Sequence, residues 1–476
     1  MMSKILSVGI DIGTTTTQVI FSRITIDNTA SYFTVPRISV LDKEIVYQSP
    51  VFFTPLKQQV FIDGDKVREI VAAEFQKAGF TPSQVDTGAV IITGEAARKE
   101  NSKTVLDTLS DFAGDFVVST AGPDLESVIS GKGSGAYQYS IDNLCTVVNL
   151  DIGGGTTNIA LFDSGKVTAK TCYDIGGRLI RLDKEGTIQY IAPTAKLIAE
   201  KIGVGIAVGG KGSEAELSRI TDAMADILAQ SIGLKESTPL AEAVRTKTSS
   251  TDTFRQPIER ICFSGGVADC IKSTSDDLFA FGDIGILLGR SIRNNPYFAK
   301  ARRIEASQTI RATVVGAGTY TMNLSGSTIY YSKGIFPLKN TPVYKLPAEV
   351  EDAIFKGDAE PLVEGLKWFI SQASSSQIIL AVKGPHNPTF QTLELAAGCL
   401  IKSADAVLPP EAPLIVISEE DIAKALGIAM SNASDKRRKI ASIDSVSVED
   451  GDYLDIGSPL MDGLVVPVIV KTLLFG

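Results

Sequence analysis

The sequence predicts a duplicated α/β protein with a third α/β region at its C-terminal end. Three observations carry this. Apolar runs suited to buried strands alternate with longer, charged stretches of helical period. The series restarts near residue 145. The stretch DIGTTTTQ at 11–18 also returns as DIGGGTTN at 151–158. Aligned at Asp11 and Asp151, six positions are identical between Val8/Val148 and Thr17/Thr157, and Gln18/Asn158 and Val19/Ile159 are conservative. We read two halves of one fold.

Residues 5–10 (ILSVGI) form a short apolar run ending at a Gly/Thr turn, the mark of a buried strand. Residues 17–24 and 30–38 are β-rich, and 64–79 carries helical periodicity. Then come a strand at 88–93, a helix at 95–109, a strand at 115–119 and a helix from Pro123. In the second half, 145–150, 157–165 and 166–175 again make three strands. Helical runs at 193–202 and 213–232 follow, then a strand at 259–266 that ends in glycines. Segment 232–257 is polar and Thr/Ser-rich, as expected of a mobile surface connection. Residues 331–476 alternate strands (376–382, 413–418, 440–448, 463–475) with helices (389–404, 419–433). The expected division is 1–143, 144–330 and 331–476, in keeping with a 476-residue chain at roughly 100–200 residues per domain.

Composition narrows the function. Apolar residues make up 44% and charged residues 21%, which fits a soluble globular protein. A formal charge of −9 argues against nonspecific binding to phosphate backbones. The one basic run, Lys436 to Lys439, suits a solvated helix end. Cys145, Cys172, Cys262, Cys270 and Cys399 lack metal-ligand spacing and are odd in number, which points to buried thiols in a reducing compartment. The apolar run before Asp11 is too short for a signal peptide, and no membrane span is expected. His386 is the only histidine, so a His-centred triad or multi-His metal site is excluded; KGPHNP around it reads as a turn.

The repeated turn carries the chemistry. Gly13, and Gly153 with Gly154 and Gly155, let the backbone approach a ligand. Successive N–H groups in such a turn make an anion-binding concavity. Thr14, Thr15, Thr16 and Thr17, with Thr156 and Thr157, add hydroxyl donors. Two facing turns would grip a polyphosphate from both sides. Asp11 and Asp151 repel phosphate but can hold Mg²⁺, which takes carboxylate, water and phosphate oxygens together. One such turn alone could be an ordinary hairpin; its repetition favours a nucleotide clamp. A third piece is SGGVADC at 264–270, where a strand ends, glycines follow and a helix begins. It suits a base and ribose lying on the backbone, and equally a plain connecting loop. The GAG of 316–318, read as following a strand (ATVV), is either a second backbone approach or a helix-packing turn.

Together the pieces resemble the actin, sugar kinase and heat-shock chaperone superfamily of ATPases over residues 1 to about 330. Asp11-Ile12-Gly13-Thr14-Thr15 matches its first phosphate motif, Asp151 to Thr156 its second, and Ser264-Gly265-Gly266 its adenosine motif. The resemblance implies two actin-like (ribonuclease H-like) domains flanking a nucleotide cleft, ATP hydrolysed with Mg²⁺, and domain rotation coupled to nucleotide state. The superfamily often places an acid or polar switch at the domain crossover, here 121–140. Glu126 or Asp124 could orient the attacking water, or simply favour a helix start. Glu95 reads as a helix cap.

TGEAARKEN, AGPDLESVISGKGSGA, FSGGVADCI, GDIGILLGRSI, TVVGAGTYTMNLSGSTI, GDYLDIGSPL and VVPVIVKTLLF resemble the ethanolamine ammonia-lyase reactivating factors, the EutA family, from end to end. The resemblance implies a cytoplasmic, chaperone-like ATPase. Its client would be the adenosylcobalamin-dependent ethanolamine ammonia-lyase, from which ATP would drive out damaged cobalamin so that intact cofactor can enter. Oligomeric state and enclosure in a bacterial microcompartment stay open. The main rival is a small-molecule kinase of the sugar kinase branch, for which no sugar-binding cluster is evident. An iron–sulfur radical-enzyme activator would need more cysteines than Cys262 and Cys270. An actin-like filament protein is the last alternative.

Overall fold

The computed structural model describes residues 3–13, 16–29, 38–57, 61–93, 101, 105, 109, 117–120, 122–252, 254, 256–320, 323–326, 328–372, 377–448 and 452–472. Its first sheet contains β1 (Ser3–Ile12), β2 (Thr16–Asn28), β3 (Ile38–Gln48), β4 (Phe52–Phe53), β5 (Thr87–Ile92) and β6 (Val117–Thr120). The order is β3-β2-β1-β5-β6, with β4 paired to β2. The first three strands are antiparallel, and β5 and β6 run parallel to β1. Helix α1 (Gly64–Ala78) covers one face; Asp63 caps its start and Gly79, at φ 76°, ends it. Helix α2 (Pro123–Gly133) follows β6.

The second sheet repeats the plan. Strands β7 (Thr146–Ile152), β8 (Thr157–Asp163), β9 (Lys166–Tyr173), β10 (Arg260–Ser264) and β11 (Arg303–Ile304) lie in the order β9-β8-β7-β10-β11. Again three strands are antiparallel and two run parallel to the first. Every residue of β7 (TVVNLDI) is buried, as befits a central strand covered on both faces. Around it pack α3 (Glu214–Ser231), α4 (Gly266–Lys272) and α5 (Gly285–Asn294). The last helix is α6 (Ala312–Tyr320).

The halves exchange helices. Helix α2, from the first segment, packs on β7, β8 and β9; α6, from the second, packs on β1, β2 and β5. The two helices cross where Gly133 meets the Ala312 carbonyl and Gly316 meets the Ile129 carbonyl. A methyl at either glycine would run into the facing backbone. The expected duplicated α/β architecture is therefore present, joined by a close helix crossing.

The third region is a mixed sheet. Strands β12 (Leu338–Lys345), β13 (Ile379–Val382), β14 (Leu414–Ser418) and β15 (Ile440–Ile443) are parallel neighbours. Antiparallel β16 (Asp452–Ile456) and β17 (Pro467–Thr472) extend it beyond β12. Helices α7 (Ala348–Phe355), α8 (Glu360–Gln372), α9 (Phe390–Val407) and α10 (Ala423–Ala433) cover one face. Ile469 of β17 packs with Ile5, Ile24 and Ile91, which docks this region on the first sheet.

Several expectations need correction. The third strand is 38–48, and 30–37 lie outside the described residues, as does nearly all of the expected helix at 95–109. The run ATVVGAG is helical despite its β-branched residues, because α6 is buried between α2 and the first sheet. Gly316 serves helix packing. Segment 232–257 is tethered: Asp174 and Thr246 N–H groups bond the Val244 and Cys172 carbonyls, and Ser250 N–H donates to Asp124. Asn323–Leu324 already pairs with Val468 and Pro467 of the third sheet. No helix among the described residues is long and apolar enough to cross a membrane.

Candidate functional site

The β1–β2 and β7–β8 turns close in the same way. Gly13 N–H donates to Thr16 O at 2.8 Å, and Gly153 N–H donates to Thr156 O at 2.9 Å. Register agrees as well: Asp11 stands across from Gln18, and Asp151 across from Asn158. Directly opposed residues share a sheet face, so each half presents one carboxylate beside one amide. Thr14, Thr15 and Glu95 lie outside the described residues. Gly13 and Gly153 do not adopt positive φ, so their value here is an uncovered backbone.

Each turn is braced. Thr54 Oγ1 donates to Gly13 O at 2.8 Å and lies 3.1 Å from Thr17 Oγ1. In the second turn, Gly177 and Arg178 N–H groups donate to Gly153 O and Gly154 O at 3.0 and 2.7 Å. The carbonyls are thus tied back. The N–H groups of Gly154 and Gly155 have no backbone acceptor among the described residues, which is the arrangement an anion needs.

Asp11 and Asp151 are 7% and 5% exposed. Burial pushes the Asp11 carboxyl up to about 7, the charge of Asp151 adds to this, and the Thr93 hydroxyl, donating at 2.9 Å, opposes it. The geometry brings the two turns to one join: Gln18, opposite Asp11, donates to Ile310 O, and Thr313, three residues on, donates to Asp151. Burial pushes Asp151 up to about 6, held back by Ser264 Oγ at 2.6 Å and Thr313 Oγ1 at 3.4 Å. Thr313 belongs to α6, so the crossing helix also touches the second carboxylate.

Magnesium fits this donor set. Gln18 and Asn158 are each 2% exposed. Gln18 Nε2 donates to Ile310 O at 3.2 Å, which leaves Oε1 as its free end. Gln18 Oε1 and Asn158 Oδ1 are buried without any donor. Buried acceptors left unpaired cost about 1–3 kcal/mol each, and a hydrated cation would supply the missing O–H groups. Among the described residues there is no cluster of three or more His, Cys, Asp or Glu suited to a metal. Two carboxylates suffice for Mg²⁺ when waters and phosphates complete its octahedron.

The third motif lies against the second turn. Ser264 ends β10 and bonds Asp151 directly. Gly265, at φ 83°, lets the start of α4 approach Ile152, whose backbone a side chain would strike. Gly266 opens α4 with only Ile310 atoms nearby. Glu126 is 8% exposed in the first turn of α2. Ser127 touches Thr171 O, level with Leu150, whereas Gly131 meets Phe162, level with Val147. Glu126 therefore lies toward the Asp151 end of β7. Asp124 is engaged elsewhere, accepting from Ser250 N at 2.9 Å and pairing with Lys170 at 3.8 Å.

Sequence reasoning named both aspartates but not their hydroxyl partners Thr93 and Thr313, nor Thr54 and Arg178. Gln18 and Asn158 did stand out, as a conservative pair in the repeat. All five cysteines are free and buried. Burial pushes Cys262 up to about 12 and Cys270 to about 11, so neither thiol is reactive. His386 is exposed, 3.2 Å from Glu420.

Fold and site define a class: a two-lobed α/β protein with matched aspartate turns facing across the join and helices exchanged between lobes. The chain matches the family described as ethanolamine utilisation protein EutA over residues 3–476, and it belongs to that family. It is 40% identical to the ethanolamine ammonia-lyase reactivase EutA of Salmonella typhimurium LT2, over 99% of each chain. Identity to the Escherichia coli K12 protein of the same name is 39%, again over 99% of each. Among solved structures, the Aquifex aeolicus PPX-GPPA enzyme is 14% identical with a TM-score of 0.39, over 66% of this chain and 99% of that one.

Proposed function

We propose that this protein is a Mg²⁺-dependent ATPase that reactivates adenosylcobalamin-dependent ethanolamine ammonia-lyase in the cytoplasm, exchanging damaged cobalamin for intact cofactor. The observation that carries the reading is 39–40% identity, over 99% of each chain, to proteins named reactivases of that lyase. The paired turns supply a physical basis. Asp11 and Asp151 would hold Mg²⁺, with Gln18 and Asn158 accepting from its waters. The N–H groups of Gly154 and Gly155, with the Thr16 and Thr156 hydroxyls, would take phosphate oxygens. Gly265 and Gly266 would lie beside the adenosine. Bound Mg²⁺ neutralises charge on the phosphates. Glu126 would orient the attacking water.

Coupling to a client follows from the helix exchange. A change at the turns moves α6 through Thr313 and moves α2 through the crossing at Gly133 and Gly316. ATP and ADP states can then differ in shape, and a client that binds them unequally is pulled between conformations.

The test uses lyase inactivated with cyanocobalamin. Purified protein, ATP, Mg²⁺ and free adenosylcobalamin are added, and lyase activity and cyanocobalamin release are followed. ATP-dependent recovery is expected. ATP hydrolysis without recovery would overturn the client and return attention to small hydroxyl substrates.

A further inference from the structure

One cation bridges the two turns. Arg178 follows the glycine pair 176–177, and its backbone N–H is fixed on Gly154 O of the second turn. Its guanidinium crosses to the first lobe and lies over the Phe53 ring, 5.4 Å from the centroid. Phe53 stands across from Thr16 in the β2–β4 pairing, so it is anchored on the first turn. The ring is 75% exposed, so its face is open to the guanidinium.

The guanidinium is held but not satisfied. Asp283 approaches its Nε at 3.6 Å, an ion pair too long for a hydrogen bond. Asp283 in turn accepts Gly285 N–H at 2.8 Å, which fixes it at the start of α5. Arg178 Nε is buried without a hydrogen-bond partner, and no side-chain hydrogen bond from Arg178 occurs among the described residues. A guanidinium offers five donors in a rigid fork suited to phosphate. Stacking on an aromatic face provides a resting place for the charge without using those donors.

We propose that Arg178 is a phosphate-binding residue of the cleft, whose fork turns from the Phe53 ring onto the polyphosphate of a bound nucleotide. This rests on the nucleotide reading above. The same movement would break the Arg178–Phe53 contact between the lobes, so occupancy would be felt directly at their join. Because the gain scales with phosphate charge, Arg178 favours ATP over ADP.

Calorimetric titration of ATP·Mg²⁺ and ADP·Mg²⁺ into the full-length wild type, Arg178→Ala, Arg178→Lys and Phe53→Ala proteins tests this. Arg178→Ala should weaken ATP by about 10- to 100-fold and ADP by about threefold or less. Arg178→Lys, which keeps the charge and the Asp283 pair, should recover part of the ATP affinity and remains informative if the alanine variant does not fold. Phe53→Ala should bind ATP as well as or better than wild type. Equal loss of ATP and ADP in both Arg178 variants would mark a purely structural role and overturn the assignment. Wild-type affinity for ATP in either Arg178 variant would do the same. A wild type that binds no ATP would instead overturn the nucleotide reading, and this proposal with it.

Discussion

The first and second turns share one backbone plan but treat their carboxylates differently. Asp151 accepts two hydroxyls, from Ser264 and Thr313, and is pushed up only to about 6. Asp11 accepts one, from Thr93, feels the charge of Asp151, and reaches about 7. Burial raises both carboxyls, and Asp11, with one hydroxyl partner and the Asp151 charge beside it, is raised the further. Duplication built two turns of one backbone plan, and their neighbours differ: two hydroxyls support the second carboxyl and one supports the first.

That difference can be broken most severely at the second turn. Asp151→Asn should lower Mg-ATP hydrolysis by about 100-fold or more while leaving the fold intact, and Asp11→Asn should lower it by a similar or smaller factor. Steady-state ATPase rates with circular dichroism check both; normal hydrolysis in both variants would remove the clamp. Next in size is Glu126→Gln, expected to slow hydrolysis by about 10- to 100-fold while changing ATP affinity by less than about threefold. If binding and turnover fall together, Glu126 has a structural role.

A smaller effect sharpens the comparison through pH. Cation binding must displace protons from both carboxyls. Mg²⁺-dependent ATP affinity should therefore rise between about pH 5.5 and 8, by about tenfold per pH unit for each proton displaced. In Asp11→Asn the part of this rise near pH 7 should vanish and the part near pH 6 should remain. The smallest effect is on the cation-free fold. A carboxyl whose pKa is raised by folding contributes stability below its unfolded pKa near 4, and this is lost as pH rises through about 7. Asp11→Asn should therefore stabilise the chelator-treated protein by roughly 1–3 kcal/mol at about pH 8, and by little at about pH 4. Urea unfolding at the two pH values measures it.

Much of the site was legible because hairpin turns are local. DIGTTTTQ and DIGGGTTN specify strand, turn and strand within a few residues, and even the Gln18/Asn158 correspondence stood in the letters. Ser264 lay in a recognised motif, though its bond to Asp151 depends on strand pairing. The helix exchange was not legible, since it is a tertiary event between segments far apart in sequence. ATVVGAG misled because β-branched residues favour strands, and only burial between α2 and the first sheet makes them helical. The strand at 38–48 was hidden by its charged residues, Asp42, Lys43 and Glu44. The Arg178–Phe53 contact joins two unremarkable sequence positions and is visible only in space.

We propose that the two turns together hold Mg-ATP. The most direct test is calorimetric titration of ATP into the wild-type protein with Mg²⁺ and with chelator, beside the Asp11→Asn/Asp151→Asn double variant. One ATP per chain is expected with Mg²⁺, with severe weakening both in chelator and in the double variant. Equal ATP binding in all three conditions would contradict it.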